Sequence, residues 1–134
     1  MNYKQLAKLN AACFGADDEL SSEAAMLEFD TTPHHGIFVE TEKGKILGYV
    51  LHYITCDDTI TIYRRGVSKV ARGLGLGVKL TNRVMRHGLK AGYPFWTYAH
   101  KTNLASINSS IKCGCKVFKI RGQWVELHKP IKEK

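Results

Sequence analysis

The spacing of apolar positions changes character along the chain. Leu6, Leu9 and Cys13 recur at helical spacing, with Phe14 alongside, until Phe14-Gly15-Ala16 breaks the run. Leu20-Ser21-Ser22-Glu23 opens a second helix, with Ala24, Leu27 and Phe29 as its apolar positions, and Thr32-Pro33 stops it. The period then shortens. Residues 36–42 are rich in strand formers (Ile37, Phe38, Val39), and Lys43-Gly44 is a tight-turn signal. Residues 45–55 form a long strand, Cys56-Asp57-Asp58 a second turn, and residues 59–67 a third strand. In the third strand Ile60 and Ile62 alternate with Thr61 and Tyr63. Three consecutive strands with short turns predict an antiparallel meander.

Helical spacing returns after a glycine-rich turn at residues 72–77. Leu76, Leu80 and Val84 fall four apart, and Met85 and Leu89 widen the stripe. Gly92-Tyr93-Pro94 ends that helix. Residues 95–100 read as a short aromatic strand, and residues 103–112 as a helix closed by Gly114. Residues 115–120 and 123–128 form a last pair of strands around Arg121-Gly122, and the basic tail beyond reads as frayed. The pattern describes a mixed α+β domain with a strand–glycine turn–helix–strand unit at its centre.

Composition bounds the class. The 134 residues are 44% hydrophobic and 24% charged, which fits one globular domain over residues 1–134. No run of about 18 apolar residues exists, so no membrane partner is expected. Cys13, Cys56, Cys113 and Cys115 form no C-x-x-C pair and complete no zinc spacing, so no metal is expected. They read as reduced, buried side chains. Together with an N-terminus lacking an apolar leader core, they make the cytoplasm the expected compartment.

Charge adds more. Lys and Arg number 20 against 12 Asp and Glu, a net +8. Residues 1–62 hold 4 basic and 10 acidic residues, a net −6; residues 63–134 hold 16 and 2, a net +14. The split suggests two surfaces with different partners, the basic one suited to phosphates, nucleic acid or an acidic macromolecule.

Arg72-Gly73-Leu74-Gly75-Leu76-Gly77 follows a strand and opens a helix. The first turn of a helix leaves backbone N–H groups unpaired, and the macrodipole makes that end positive. Glycines let the backbone approach an anion closely, and Lys69 and Arg72 add charge. A dinucleotide-binding fold would want other glycine spacing, and a phosphate-binding P-loop would want Gly-Lys-Ser/Thr, which is absent.

The stretch Val67-Ser68-Lys69-Val70-Ala71-Arg72-Gly73-Leu74-Gly75-Leu76-Gly77 resembles the acetyl-CoA motif of the GNAT superfamily of N-acetyltransferases. Asn103-Leu104-Ala105-Ser106-Ile107 and Lys112-Cys113-Gly114-Cys115 resemble the second half of that pattern. The resemblance covers roughly residues 36–120. It implies a mixed central sheet with helices on both faces and an acetyl group moved from acetyl-CoA, as co-substrate, to a primary amine by direct attack in a ternary complex. It also implies that residues 72–77 hold the pyrophosphate with their amides. The pantetheine would pair with the backbone of Val67, Ser68 and Lys69, and the Val67 N–H would polarise the thioester carbonyl. Asn103 would bind the pantetheine; on its own it reads as a helix N-cap.

The sequence departs from the family at several points. The usual proline is Lys69. The tyrosine taken as general acid falls on Ser110, whose hydroxyl is a much weaker acid. Glutamates that other members carry fall on Thr61 and Tyr98. A base must therefore come from elsewhere, and histidine suits the task. Tyr98 and His100 share a strand face near the expected cleft; His52 is a second candidate, and His34 and His35 are placed to shape the acceptor site. The family's first strand is missing or reduced here, which leaves a sheet edge for a partner or a second copy, as in a homodimer.

Asp17, Asp18, Glu19, Glu23, Glu28 and Asp30 border the expected acceptor site. That suggests a cationic acceptor: a protein lysine or N-terminus, or a small cationic amine. A different class of function stands beside this one. Arg64, Arg65, Arg83, Arg86, Lys90, Lys116, Lys119 and Arg121, with Trp96 and Trp124, would make a basic aromatic surface for a catalytically weak CoA-binding or nucleic-acid-associated module.

Overall fold

Asn2 and Ser22 start the first two helices by the same device. The Asn2 side chain accepts the Gln5 N–H at 2.9 Å, and the Ser22 hydroxyl accepts the Ala25 N–H at 3.2 Å. The computed structural model describes residues 1–130 of the chain; the tail from residue 131, expected to fray, lies outside the described residues. Helix α1 runs Tyr3–Phe14 and α2 runs Glu23–Thr31. In α2 the inward positions are Met26 and Phe29, while Ala24 and the 45% exposed Leu27 face out. Of the apolar positions read from the sequence, Phe29 is buried as expected, while Ala24 and Leu27 are not. A helix of nine residues has room for one i, i+3 pair against the sheet, and the angle of docking selects which pair.

Strands β1 (His35–Glu42), β2 (Lys45–Ile54) and β3 (Ile60–Val67) form the expected antiparallel meander. The predicted alternation breaks in β3. Leu51 faces Arg64 and His52 faces Ile62, so Tyr63 is an extra residue, a β-bulge. Tyr63 and the next residue, Arg64, both turn toward the first helices. Tyr63 Oη donates to Glu19, and Arg64 pairs with Asp18. Arg65 turns to the opposite face.

Helix α3 (Leu76–Ala91) is capped at its C-terminus by left-handed Gly92. It is followed by β4 (Phe95–His100), α4 (Leu104–Lys112), β5 (Lys116–Arg121) and β6 (Trp124–Lys129). The six strands form one sheet in the order β1-β2-β3-β4-β6-β5, parallel only at β3–β4. Among the described residues no strand precedes α1, as expected.

The core has two halves. Leu6, Met26, Phe29, Tyr49 and Leu51 pack α1 and α2 on one face; Val50, Ile60, Leu80, Val84 and Phe95 pack α3 on the other. Helix α1 lies against β2 and β3, and α2 against β1. Within the first half the Tyr49 hydroxyl donates to Asn10 Oδ1 at 2.5 Å. Asn10 Nδ2 then donates to Asp18 and to Ser21, both at 2.9 Å, which ties the loop between the two helices to the core. Tyr49 and Asn10 are both buried, so the chain of bonds holds the loop in one place.

The placement of α2 has a direct test. Met26→Ala should cost about 2–5 kcal/mol, as deletion of a fully buried side chain does. Leu27→Ala should stay within about 0.5 kcal/mol of wild type. Urea unfolding of the two variants checks this; equal losses would contradict the placement of α2 on the sheet.

Candidate active site

Strands β3 and β4 pair only at Ile60–Phe95 and Thr61–Trp96, and then part. The backbone beyond Thr61 therefore faces a gap in the middle of the sheet. Its direction is set by the register with β2. Ser68 N–H donates to Leu47 O at 2.7 Å, so Gly48 and Val67 form a non-hydrogen-bonded pair. The N–H and C=O of Val67 therefore point away from β2, into the gap. The Val67 carbonyl accepts from Arg72 Nε at 3.2 Å and from the Cys13 thiol at 3.6 Å.

After Val67 a single 3-10 turn over Lys69–Ala71 leads to the glycine loop. Gly73 (φ 84°) and Gly75 (φ 78°) are left-handed, a conformation that disfavours any residue with a Cβ. A Cβ at either position would meet no atom within 4 Å, so the loop presents an open concavity. The first bond of α3 is Lys79 N–H to Gly75 O. The amides of Leu76, Gly77 and Val78 are thus unpaired within the helix and face its positive end.

These elements wall a cleft of about 540 Å³ that Val67, Arg72, Gly73, Gly75, Leu76, Gly77 and Asn103 all line. Under it lies Arg65, whose Nη1 donates to Thr81 Oγ1 at 2.6 Å and to Gly77 O at 3.3 Å. Burial pulls this guanidinium below its ordinary value, but that value is so high that the charge persists. Ser68, Lys69 and Leu74 border the loop without lining the cleft. The Ser68 amide is committed to Leu47, and Leu74 is 71% exposed.

A second compartment of about 170 Å³ fills the gap between β3 and β4, lined by Tyr63, Arg64, Arg65, Tyr98, Asn103 and Ser106 among others. It shares Arg65 and Asn103 with the cleft. Asn103 does cap α4, its Oδ1 accepting the Ser106 N–H at 3.2 Å. The cap uses only the oxygen of the amide and leaves its nitrogen outside the capping bond. Tyr98 is 52% exposed on the opposite wall. Burial, together with the nearby charge of Glu126, raises its phenol above the ordinary value, so it stays protonated at neutral pH.

A third compartment, of about 370 Å³, shares Tyr63 with the second and is lined by Glu19, Glu28, Phe29 and His35.

The remaining expected site residues lie elsewhere. His100 faces Trp124, edge to face at 5.5 Å, and holds Thr102 Oγ1 at 2.7 Å through Nδ1; it lines none of the three compartments. Ser110 shares a helical face with Asn103 and Ser106 but is 1% exposed, because its side chain is too short to reach the gap. His52 is buried on the α3 face between Phe38 and His87. Burial pushes it down to about 4, which keeps it neutral.

Some of the residues expected on a basic aromatic surface are engaged elsewhere. Arg64 is paired with Asp18, Arg65 is inside, and Arg83 lies over Phe38 beside Glu40. Trp96 is stacked on His128 at 4.0 Å. Sequence reasoning passed over Tyr63, Arg64 and Arg65 as site residues. The bulge that turns them inward leaves no mark in the period.

A strand that parts from its parallel neighbour beside a glycine-opened helix offers free backbone groups to an extended ligand with an anionic end. The sequence model of the Acetyltransferase (GNAT) family matches residues 3–114, and the chain belongs to that family, whose members use acetyl-CoA as co-substrate. Solved structures agree on the fold. The ribosomal-protein-S18-alanine N-acetyltransferase from Escherichia coli superposes with a TM-score of 0.80 at 17% identity, covering 99% of this chain and 90% of that one. An aminoglycoside 6'-acetyltransferase type Ii gives 0.80 at 14%, covering 98% and 91%. An aminoglycoside 6'-N-acetyltransferase complexed with coenzyme A gives 0.80 at 13%, covering 98% and 92%. No curated protein matches the chain in sequence. Among the described residues no helix is long and apolar enough to cross a membrane.

The loop that carries Glu19 should respond to acid. Burial pushes the Asp18 carboxyl up, but bonds from Asn10 and the Leu20 amide and the charge of Arg64 outweigh it and hold the group below its ordinary value. A depressed carboxyl contributes stability that is present above its unfolded value and lost as pH falls through the folded one. The urea midpoint should therefore drop below about pH 4 in wild type and much less in Asp18→Asn. Parallel acid profiles for the two proteins would contradict this.

Proposed function

We propose that the protein is an N-acetyltransferase whose acceptor is a primary amine carrying a positive charge, and that transfer occurs by direct attack in a ternary complex. The observation that supports it is that the three compartments lie side by side and share wall residues. Arg65 and Asn103 line both the glycine-walled cleft and the gap, and Tyr63 lines both the gap and a pocket with Glu19 and Glu28 on its wall. One reactant can enter from each end and the two meet between β3 and β4. That arrangement supplies the proximity on which amide formation depends.

The residues divide the work. The amides of residues 75–78, with Arg72, meet the phosphates of the co-substrate at the positive end of α3. The Val67 N–H faces the gap, where it can stabilise the oxygen that gains negative charge as the amine adds. The Nδ2 of Asn103, free of the capping bond, serves the pantetheine amides. Acetyl-CoA supplies the activated acyl group as a thioester. Glu19 and Glu28 hold the acceptor's cationic end, and Phe29 and Tyr63 offer aromatic surface beside them.

Arg64 serves the acceptor side indirectly. Paired with Asp18 and stacked over Phe14 at 4.7 Å, it neutralises one carboxylate of the loop, while Glu19, held by the Tyr63 hydroxyl, faces the pocket. Of the acidic residues expected to meet the acceptor, only Glu19 and Glu28 line this pocket.

The kinetics should respond at each end of the site. Gly75→Ala forces an L residue into the left-handed region, at about 1–2 kcal/mol, so the loop should relax and the KM for acetyl-CoA rise about tenfold. An unchanged KM would contradict the cradle. The double variant Glu19→Gln, Glu28→Gln should raise the acceptor KM several-fold and flatten its dependence on salt, with the KM for acetyl-CoA unchanged. Steady-state thiol release across a panel of peptide and small-molecule amines measures both.

A further inference from the structure

Glu126 is a buried carboxylate to which acetyl-CoA and acceptor binding give no task. It is 4% exposed, midway along β6, with its Cα opposite Tyr98 of β4 and Lys119 of β5. His128 Nε2 lies 2.8 Å from one carboxylate oxygen. Arg121 Nε lies 3.7 Å from the other, on a side chain that is 65% exposed. The His128 ring is itself held between Trp96 at 4.0 Å and Phe118 at 4.1 Å, which fixes its edge toward the carboxylate.

Two partners, one of them distant and in solvent, are few for a buried carboxylate that can accept several hydrogen bonds. A hairpin held by an apolar residue at this position would avoid that cost, so the carboxylate calls for a use.

Its surroundings suggest one. Glu126, Tyr98, Arg121 and Trp124 line a cavity of about 230 Å³. Tyr98 also lines the compartment between β3 and β4. One phenol therefore separates a buried carboxylate from the place where the two reactants meet. An amine that adds to a thioester must lose an N–H proton. A phenol that stays protonated cannot keep that proton, but it can pass it on when an acceptor stands behind it.

We propose that Glu126 is the terminal proton acceptor of the acetyl transfer, acting through the Tyr98 hydroxyl. The proposal rests on the N-acetyltransferase function proposed for the site. The acceptor ammonium first gives one proton to solvent, and the lone pair so freed forms the N–C bond to the carbonyl carbon. The N–H proton moves to the Tyr98 oxygen as the Tyr98 proton moves to Glu126. The C–S bond breaks with its electron pair on the CoA sulfur, and Glu126 later returns the proton to solvent. Tyr98 is the residue that touches substrate; Glu126 positions and drains it. The charged and titratable groups facing Glu126 are Tyr98 from β4, Lys119 and Arg121 from β5, and His128 from its own strand.

The test compares wild type, Glu126→Gln, Tyr98→Phe and the double variant. Each single variant should lower kcat about a hundredfold with the KM for acetyl-CoA unchanged. Each should also change the shape of the kcat pH profile, and the double variant should be no slower than the worse single one. A readout without turnover accompanies it. The near-ultraviolet titration of Tyr98, taken as the difference from Tyr98→Phe, should move to lower pH in Glu126→Gln. Tyr98→Phe leaves the buried groups in place, so it carries the kinetic test should Glu126→Gln not fold. Thiol release by wild type with an unaltered kcat and pH profile in either variant overturns this proposal alone. A Tyr98 titration unmoved by Glu126→Gln overturns it as well. No thiol release by wild type with any amine overturns the transferase function and this proposal with it.

Discussion

The parting of β3 from β4 is the constraint on which the site depends. Backbone N–H and C=O groups in the middle of a sheet normally have ladder partners. Here the parallel pair supplies them at two positions and then stops. The segments after β3 are arranged around that opening. The next turn of chain becomes a glycine loop, the helix after it points its unpaired amides at the same space, and α4 closes the far side with Asn103 at its tip. An extended, polar ligand with a phosphate end satisfies both the strand edge and the helix end. The co-substrate of this family is such a ligand.

The charge split along the chain acquires a structural meaning that neither half shows alone. Part of the basic half is spent on the acidic half: Arg64 on Asp18, and Lys79 and Arg83 on Glu40. Exposed pairs of this kind add little stability. Arg64–Asp18 is different in consequence, because it is three-quarters or more buried on both sides and sits where the α1–α2 loop meets the bulge. It locks the acidic loop over the gap and leaves Glu19 to the pocket beside it. Arg65, one residue later, is buried beneath the glycine loop instead. Adjacent residues with one charge thus serve opposite faces of the sheet.

The sheet is also asymmetric. Helices cover both faces of its first half, while β4, β6 and β5 carry their helices on the α3 side. On the other side stand Trp96, Tyr98, Trp124 and Glu126, with Phe118 and His128 stacked among them. That face continues directly from the gap through Tyr98. The gap thus has an aromatic surface on one flank and an acidic pocket on the other.

The order and type of elements were legible in the sequence, because each is written in a local code: helix caps at Asn2 and Ser22, a two-residue turn at Lys43-Gly44, an apolar stripe from Leu76 to Met85. The glycine loop was legible for the same reason, since left-handed backbone at Gly73 and Gly75 needs that residue type. What depended on pairing between distant segments was not. The bulge at Tyr63 arises from register with β2, and it decides that Arg64 and Arg65 are interior rather than part of a basic surface. The same holds for His100 and Ser110, which share the right faces yet line no compartment. Glu126 drew no notice as a lone acid in a basic stretch. Only the antiparallel register that sets it opposite Tyr98 makes it part of the site. Composition and period determine which elements form, since those depend on neighbours within a turn or two. Which side chains meet is decided by the sheet, because a shift of one residue in register sends every side chain to the other face.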